Sequence, residues 1–541
     1  MGAQAQGPGA RSYIRRMSVA GFRWALCGVV LLAITGSVLD VMEVDAAQYA
    51  AMSRDMLHSA DPTHLHFRGE DYLDKPPLLF WLSALSFQVF GIHAWSYKLP
   101  SILFAFLGVY STFRFAHLFY GAAVARKAAI MFGGSAAFLL MTNDVRCDTI
   151  LTGSVITAIW LGAAWLEQRR PLQLMGASLA VAAGLLVKGP IGAMAPLLAL
   201  GAHVVLARRW SALHSPWLLV PPLIIGLALL PMCIGLYEQH GIHGLRFYFW
   251  EQSFGRITGE NRWKDDSSYF YFTHEVLWQT LPWVLAVLLG LWRTAGSLIA
   301  RKPLAEGASI GGILLVFIAL SASHFKLPHY LYVILPLFAV QGAAAWEQGL
   351  PRWLLRAHMG LIVALSLLLL VLLVHCFPAG VLPLLAVLVA WSAAIWIGGK
   401  GADAPFVRTF WTWIVVALAV NTLLYPRVLA YQANAVAGKW AAAHGMDANR
   451  FYGMQVAGTA LDFYAGFHVK WLSNADEASN AVRPGTVIYT DAARRAELEQ
   501  AGFHPKEVLA LEQYEVQLLG FDLILPELRP KALEQRFLLR F

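Results

Sequence analysis

The chain has 541 residues, of which 58% are hydrophobic and only 14% are charged, whereas about a quarter of the residues in an ordinary soluble domain are charged. A soluble fold of this length would have too few polar side chains to cover its surface, so composition excludes that class. The formal net charge of +8 lies mostly on short connections between apolar runs. No nucleic-acid or nucleotide site is evident in the sequence.

The apolar residues recur in blocks of about 17 to 22, which is the length of a helix that crosses the hydrocarbon core of a bilayer. Because the blocks recur along the chain, one signal peptide does not explain them. We predict an α-helical polytopic membrane protein with about thirteen transmembrane helices, at approximate limits 22–40, 99–119, 124–142, 149–166, 173–187, 190–207, 217–236, 275–292, 308–322, 328–345, 358–375, 379–397 and 408–427.

Lysine and arginine are concentrated in alternate connections between these runs, as they are in short cytoplasmic loops. The basic arm 1–21 carries Arg11, Arg15 and Arg16, which predicts a cytoplasmic N-terminus. The opposite connections are predicted to face the exterior. They are the long segments 41–98 and 237–274 and the short turns near 143–148, 188–190, 323–327 and 376–378.

The chain changes character after residue 427, where the transmembrane domain 22–427 is predicted to end. In the tail 428–541, the segments Gly485–Thr490 and Phe521–Leu525 are typical of short strands, and Ala492–Ala501 is typical of a helix. This alternation predicts a small soluble α/β domain. The odd number of spans places the domain on the exterior side.

The first exterior segment opens with a cluster of acids, Asp40, Glu43 and Asp45. If the stretch is helical, Asp45 and Tyr49 are four residues apart and share one face. Carboxylates beside a bilayer cost free energy unless they are solvated or paired, so such a cluster indicates a functional site. The alternative interpretation is that the acids end the first span as solvated loop residues.

A lysine follows in the same exterior segment, in the sequence Asp74-Lys75-Pro76-Pro77. Lysine on the outer side opposes the usual charge distribution, and a compact ammonium at the membrane surface suits a lipid phosphate. Asp74 is able either to pair with Lys75 or to ligate a divalent cation. The two prolines predict the start of an interfacial helix over Leu78–Phe90.

Further charged residues occupy other exterior turns. Asp148 is predicted at the outer start of the fourth span, and Arg146 either clamps a phosphate or neutralises Asp144 and Asp148. Lys188, in a Lys-Gly-Pro turn, and Lys326, in Lys-Leu-Pro-His-Tyr, are two more outer-face cations beside prolines. The predicted topology places all of these residues on one face of the membrane.

Aromatic and histidine residues on this face are weaker indications of a functional site. The run Tyr269–Phe272 is interpreted as an interfacial belt, with a sugar-binding platform as the alternative. His274, His324 and His329 show no metal-ligand spacing, and each is interpreted as a turn or interface residue.

Together these motifs resemble the membrane glycosyltransferases of the GT-C class, especially bacterial 4-amino-4-deoxy-L-arabinose (aminoarabinose) transferases of lipid A and the related protein-mannosyltransferase-like enzymes. The resemblance rests on six motifs in order along the chain: Asp45 with Tyr49, Asp74–Pro77, Arg146–Thr152, Lys188–Pro190, Trp250–Arg256 and Lys326–Tyr330.

The resemblance implies transfer of a sugar from a polyprenyl (undecaprenyl) phosphate donor, with inversion, on the outer face of a bacterial inner membrane. Asp45 is then expected near the anomeric carbon, with Asp148 and Tyr49 on the acceptor side. Four cations are expected to hold the donor phosphate: Lys75, Lys188, Arg256 and Lys326.

The acceptor is left open by the sequence. Lipid A, or another glycolipid, is the preferred expectation, and transfer to protein hydroxyls or to a glycan is the alternative. A transporter of the same lipid would also have many spans and intramembrane charges, but the long exterior segments and the one-sided clustering of charge favour a transferase.

Two positions depart from the family pattern. The family's Asp-Glu pair is Asp45-Ala46 here, with Glu43 upstream as a substitute. A divalent-metal site is expected at Asp74, with Asp265 or Asp266 in place of the histidine that the family uses.

Overall fold

The computed structural model describes residues 17–59, 61–252, 255, 267–456 and 458–541. Their first half is almost entirely helical. It contains nine helices: α1 (Val19–Ser37), α2 (Asp45–His58), α3 (Leu78–Phe90), α4 (Ala94–Gly133), α5 (Ala136–Asn143), α6 (Cys147–Gln168), α7 (Pro171–Lys188), α8 (Ile191–Leu206) and α9 (Val220–Arg246). A short antiparallel hairpin, β1 (His66–Phe67) and β2 (Glu70–Asp71), separates α2 from α3.

The second half continues with further helices, most of them apolar, and ends in a sheet. The helices are Tyr271–Gln279, Val284–Ile299, Ala308–Ala322, Leu335–Glu347, Arg352–Val371, Val381–Ile397, Ala404–Ala419, Tyr425–Leu429 and Ala433–Ala443. The tail contains β3 (Phe451–Met454), β4 (Lys470–Leu472), β5 (Val487–Asp491), β6 (Glu507–Gln513) and β7 (Glu534–Arg540), with short helices Thr459–Ala465, Ala475–Ala481, Ala492–Gln500, Phe521–Ile524 and Arg529–Ala532.

The multi-pass helical architecture predicted from the sequence is confirmed. Within the described residues, eight helices are long and apolar enough to cross a membrane, and five apolar helices are shorter, at 10–17 residues. Helix α4 has 40 residues but is broken at Gly121, whose φ of 81° and ψ of 178° are not helical. It therefore consists of two helical segments, which is consistent with separate spans at 99–119 and 124–142. The number of thirteen spans stays a prediction.

The exterior segment 41–98 folds mainly as α2 and α3. Helix α3 covers the predicted range Leu78–Phe90, with Pro77 as its N-cap residue. The turn between α1 and α2 is held by the buried Lys98 of α4, whose ammonium donates hydrogen bonds to the carbonyl oxygens of Gly36 (3.0 Å) and Leu39 (2.9 Å). Carbonyls at a helix C-terminus lack intrahelical partners, so the lysine completes the end of α1.

The tail forms one five-stranded sheet with the order β4-β3-β5-β7-β6. Strand β3 is parallel to β4 and β5, and β7 is antiparallel to β5 and β6. The strand predicted at Gly485–Thr490 is confirmed as β5. The helix predicted after it is confirmed as Ala492–Gln500, and the Asp491 side chain accepts a hydrogen bond from the Arg494 amide at its start.

The strand predicted at Phe521–Leu525 is wrong, because residues Phe521–Ile524 form one helical turn. A short apolar run has the same composition in a strand and in a helix, so periodicity does not separate the two. Only Leu523 of this turn is buried, whereas Phe521 is 79% exposed. The segment therefore lies on the surface of the tail and not inside its sheet.

The tail packs directly against the start of α2. The buried Glu43 carboxylate accepts hydrogen bonds from the Asn434 amide (2.8 Å) and from the Ala460 backbone N–H (2.9 Å). The Gln432 side chain accepts from Glu43 N (3.0 Å) and donates to Val41 O (2.9 Å). Burial raises the pKa of Glu43, although these hydrogen bonds oppose the shift. Glu43 therefore joins the tail to α2 and is not a solvated loop acid.

A second link to α2 depends on pH. His468 contacts Asp55 of α2 (2.8 Å) and Asp462 (3.2 Å), and hydrogen bonds to Asp462 and Asp55 raise its pKa from 6.5 to about 9. Arg54 and Arg68 contact the same two acids. Because the folded pKa is raised, the stabilisation is complete below about pH 6.5 and is lost as pH rises through about 9.

We expect His468→Gln to lower the unfolding temperature of the purified full-length protein near pH 6 but not near pH 10. The side chain is 38% exposed, so screening limits the effect to about 1 kcal/mol or less. Thermal unfolding of both proteins across this range measures the difference. If the difference in unfolding temperature between the two proteins stays constant with pH, protonated His468 does not supply this stability.

Candidate functional site

A cavity at one end of the membrane helices brings together most of the charged residues predicted from the sequence. Its wall is formed by the start of α2, the start of α6, the turn between α7 and α8, and the chain around 319–330. The predicted residues in this wall are Asp45, Tyr49, Lys75, Arg146, Asp148 and Lys188. The structure therefore brings these six residues together in one cavity, which is consistent with the predicted placement on one face of the membrane.

Helix α2 presents Asp45 and Tyr49 to this cavity. The helix begins at Asp45, so the predicted helical spacing of the two residues is confirmed. Tyr49 is buried and packs edge-on against Phe80 of α3, with ring centroids 5.7 Å apart. Burial raises the pKa of Tyr49 and of the neighbouring Tyr72 well above that of a free phenol. Both phenols therefore stay protonated at neutral pH, and each keeps an O–H group that is able to donate a hydrogen bond.

Arg146 connects two carboxylates beside the cavity. Its guanidinium lies 2.8 Å from the Asp144 carboxylate and 3.3 Å from that of Asp45. Of the two roles left open by the sequence, the structure supports neutralisation. The acids are Asp144 and Asp45, however, and not the predicted pair Asp144 and Asp148.

Asp148 is neutralised by Lys188 instead. The Lys188 ammonium lies 2.5 Å from the Asp148 carboxylate, which is 4% exposed. Helix α7 ends at Lys188 because Gly189 has a φ of 81° and Pro190 follows, a conformation that favours glycine. Asp148 lies in the first turn of α6, where a negative charge is favourable. Local sequence thus places each partner at a helix end.

His329 also faces this pair. Its Nε2 lies 3.7 Å from the Asp148 carboxylate, and its side chain lines the cavity together with that of Tyr330. The Lys188 ammonium lies 4.1 Å from the centre of the Tyr330 ring. The interpretation of His329 as a turn or interface residue did not include this position: the short helix Pro328–Ile334, which follows the turn near 323–327, places its side chain in the cavity wall.

Lys75 approaches the cavity from the segment before α3. Its ammonium forms an ion pair with Asp74. Pairing with Lys75 is one of the two roles that the sequence left open for Asp74, the other being ligation of a divalent cation. The Gln252 side-chain amide donates a hydrogen bond to the backbone carbonyl of Asp74, and Gln252 lines the cavity. The 237–274 segment thus contributes to the site, as predicted, but through a glutamine that sequence reasoning did not single out.

The remaining predicted residues divide into two groups. Lys326 is buried, and its ammonium lies 3.2 Å from Ser267 O and 5.7 Å from the centre of the Tyr269 ring. The neighbouring Leu327 contributes to the cavity wall. Three predicted residues lie outside the described residues: Arg256, Asp265 and Asp266.

The described residues do not supply a donor set for the predicted metal. No group of three or more histidine, cysteine, aspartate or glutamate side chains is arranged to hold an ion anywhere in the described part of the chain. Asp74 is the described member of the predicted set, and it pairs with Lys75.

Besides Gln252 and His329, the cavity contains apolar residues that sequence reasoning missed. Leu151, Ile191, Met194 and Leu320 line it beside the charged groups. Such residues are indistinguishable from ordinary membrane-helix residues in sequence, so only the fold reveals them. The site has a charged side and an apolar side, which suits an amphiphilic substrate.

Sequence comparison relates the chain to sugar transferases. Residues 74–234 match a family model described as dolichyl-phosphate-mannose-protein mannosyltransferase. The chain is 25% identical over 350 residues to an undecaprenyl phosphate-alpha-4-amino-4-deoxy-L-arabinose arabinosyl transferase of Pseudomonas fluorescens, covering 61% of this chain and 58% of that protein. It is 27% identical over 307 residues to its counterpart from Edwardsiella ictaluri, covering 54% and 53%. The matches span a little over half the length of these relatives.

Structural comparison extends the similarity along the chain. The crystal structure of ArnT from Cupriavidus metallidurans bound to undecaprenyl phosphate superposes with a TM-score of 0.71 at 17% identity, covering 96% of this chain and 98% of that one. The chain therefore has the fold of ArnT, and the resemblance to GT-C membrane glycosyltransferases of the aminoarabinose-transferase type is confirmed.

Proposed function

We propose that the protein is an inverting glycosyltransferase that moves a sugar from an undecaprenyl phosphate donor to a lipid acceptor, with lipid A modification by an aminoarabinose-type sugar as the preferred reaction. One observation carries the proposal. Two lysines, Lys75 and Lys188, and two acids, Asp45 and Asp148, line a single half-apolar cavity at the end of the membrane helices. The names and the fold of the relatives support the donor class.

The proposed donor phosphate binds beside Lys75 and Lys188. Both ammonium groups are paired with carboxylates in the structure. An ammonium has three N–H donors, so each lysine is able to bind an incoming phosphate while it keeps its contact with Asp74 or Asp148. Sharing of this kind avoids leaving a carboxylate unpaired in an apolar site. Arg256 and Lys326 stay predicted contributors to phosphate binding.

The proposed transfer is one displacement at the anomeric carbon. An acceptor oxygen forms the new bond to that carbon, and the bond from the carbon to the donor phosphate oxygen breaks. Undecaprenyl phosphate leaves with the bonding electron pair, and the nearby ammonium groups stabilise the charge that develops on it. An ionised phosphate acceptor needs no base, so Asp45 positions it indirectly, through the Arg146 guanidinium that it contacts. A hydroxyl acceptor would instead give up its proton to Asp45.

We further propose that the site faces the periplasm from a bacterial inner membrane, with a cytoplasmic N-terminus and the tail outside. The distribution of lysine and arginine supports this orientation. The predicted divalent-metal site at Asp74 with Asp265 or Asp266 stays a prediction.

The acceptor is tested by mass spectrometry of lipid A, surface glycans and exported proteins from cells with and without the gene. We expect a pentose-sized modification of lipid A phosphate to disappear with the gene, while protein glycosylation stays unchanged. Unchanged lipid A with loss of protein or glycan decoration would reject the lipid acceptor and favour the protein or glycan alternative.

Asp45→Asn is expected to lower the rate of sugar transfer by about 100-fold, because the amide keeps the shape but loses the charge that holds the Arg146 guanidinium beside the acceptor. Donor binding should change little, since Asp45 contacts Arg146 and not the lysines. Single-turnover transfer and donor binding in detergent measure the two effects. Asp40→Asn, whose carboxylate pairs with Lys439 away from the cavity wall, is the control. Normal transfer by Asp45→Asn would remove Asp45 from the mechanism.

A further inference from the structure

A second cavity, of about 600 Å³, lies where the tail meets the ends of the membrane helices. Its wall combines the turn after helix Arg352–Val371, the helix Tyr425–Leu429 and strand β6. Two arginines, Arg427 and Arg529, line it, and Glu512 is an acid in the same wall. Nothing in the proposed transfer uses this cavity.

Arg427 is fixed by backbone carbonyls. Its Nε donates to Pro378 O (3.2 Å), and its Nη1 donates to Leu423 O. Within the described residues, no carboxylate forms an ion pair with this guanidinium, and its Nη2 has no protein acceptor. The group is therefore held in place while one edge of it is available to an anion.

Arg529 is fixed in the same way. Its Nε donates to Leu523 O (2.8 Å), and its Nη2 donates to Cys376 O (2.7 Å). The guanidinium also lies 4.2 Å from the centre of the Phe377 ring. Across the described part of the chain, Nη1 has no protein acceptor and the group has no carboxylate partner. Two oriented guanidinium groups with unused N–H donors match the oxygen geometry of a phosphate.

The segment 516–528 indicates where this cavity lies relative to the bilayer. Val516 and Leu523 pack into a cluster with Leu39 and Phe377, at the ends of membrane helices. Other side chains of the segment point outward and are exposed: Leu518 (67%), Leu519 (49%), Phe521 (79%), Leu525 (38%) and Leu528 (43%). An exposed apolar surface beside the end of a membrane helix is typical of an element that lies in the interface of the bilayer.

We propose that this cavity binds the phosphate of an anionic phospholipid, with Arg427 and Arg529 as its ligands. The two arginines and Glu512 leave one net positive charge, which matches the single negative charge of a phosphatidylglycerol headgroup. The outward-facing side chains of 516–528, which directly precede Arg529 in the chain, would lie in the bilayer interface beside the site. The bound lipid joins the tail to the membrane helices, and this role is separate from sugar transfer.

Native mass spectrometry of the purified full-length protein, with phosphatidylglycerol or phosphatidylcholine added in detergent, tests the site. We expect the double substitution Arg427→Gln with Arg529→Gln to reduce bound phosphatidylglycerol by about tenfold, since charge-assisted hydrogen bonds are lost. Arg495→Gln is the matched control, because Arg495 pairs with Glu499 on another face of the tail. Phosphatidylcholine should bind weakly to all three proteins.

A second double variant separates the loss of lipid binding from misfolding of the protein. Arg427→Lys with Arg529→Lys keeps both charges, so it should retain more phosphatidylglycerol than the glutamine pair at equal thermal stability. Equal phosphatidylglycerol binding by the wild type and the glutamine pair would overturn the proposal. Displacement of phosphatidylglycerol by a phosphorylated acceptor lipid, with a raised KM for that acceptor in the glutamine pair, would overturn the phospholipid assignment. The amount of phosphatidylglycerol bound is measured without any sugar donor, so the phospholipid site and the proposed transfer stand or fall separately.

Discussion

Lys75→Met is expected to lower the rate of sugar transfer by about 100- to 1000-fold, which is the usual consequence of removing one preorganised group that stabilises developing charge. Lys75 lines the cavity and pairs with Asp74. In the proposed step, its ammonium meets the phosphate that leaves with the bonding electrons. Because that charge grows during transfer, kcat should fall more than donor affinity.

Single-turnover transfer with a purified donor, together with direct donor binding, separates these two quantities for Lys75→Met. Lys439→Met is the matched control, because Lys439 also pairs with an acid, Asp40, but is more exposed. Lys75→Arg keeps the charge and should recover part of the rate. A rate for Lys75→Met within a few-fold of the wild type would exclude Lys75 from phosphate stabilisation.

The second large effect is expected at the buried pair of Lys188 and Asp148. Removing one partner leaves an uncompensated charge in an apolar cavity, which costs about 3–5 kcal/mol in comparable buried pairs. We therefore expect Lys188→Leu and Asp148→Leu each to be strongly destabilised, and the double substitution to recover much of the loss. The two variants without Lys188 should lose sugar transfer, since the proposed phosphate site needs the lysine. Asp148→Leu should lose it as well, because it removes the acid that pairs with that lysine.

Unfolding of the four proteins in one detergent, analysed as a double-mutant cycle, measures the coupling. The effect of each substitution is measured both in the wild type and in the presence of the other substitution, so the cycle contains its own control. Destabilisation that simply adds in the double variant would show that the two side chains do not depend on each other. His329 lies 3.7 Å from Asp148, so His329→Gln is a useful third position for detecting a wider network.

Sequence alone identified the membrane class because the signal is repeated along the chain and because hydrocarbon thickness fixes the length of each helix. It also identified Asp45, Lys75, Asp148 and Lys188, since charge is expensive beside a bilayer and prolines mark the turns that carry two of them. Helix α2 was also predictable from local sequence, because Asp45 and Tyr49 have helical spacing.

The partners of these residues were not predictable in the same way. Arg146 and Asp148 are two residues apart, yet Arg146 pairs with Asp45 across the fold and Asp148 pairs with Lys188. Such pairs depend on how the helix ends meet, which no local pattern encodes. The inward position of His329 follows from the same packing.

The tail shows most clearly the difference between what local sequence predicts and what tertiary packing decides. Its sequence indicated alternating strands and helices, but not which residues its acids contact. In the structure the Asp462 side chain accepts hydrogen bonds from Arg68 (2.8 Å) and from Val469 N (3.1 Å), and its backbone carbonyl accepts one from Arg54 of α2. Local sequence thus determined which residues carry charge at the membrane surface. Tertiary structure decided which charges meet, because contacts between residues hundreds of positions apart arise only when the whole chain packs.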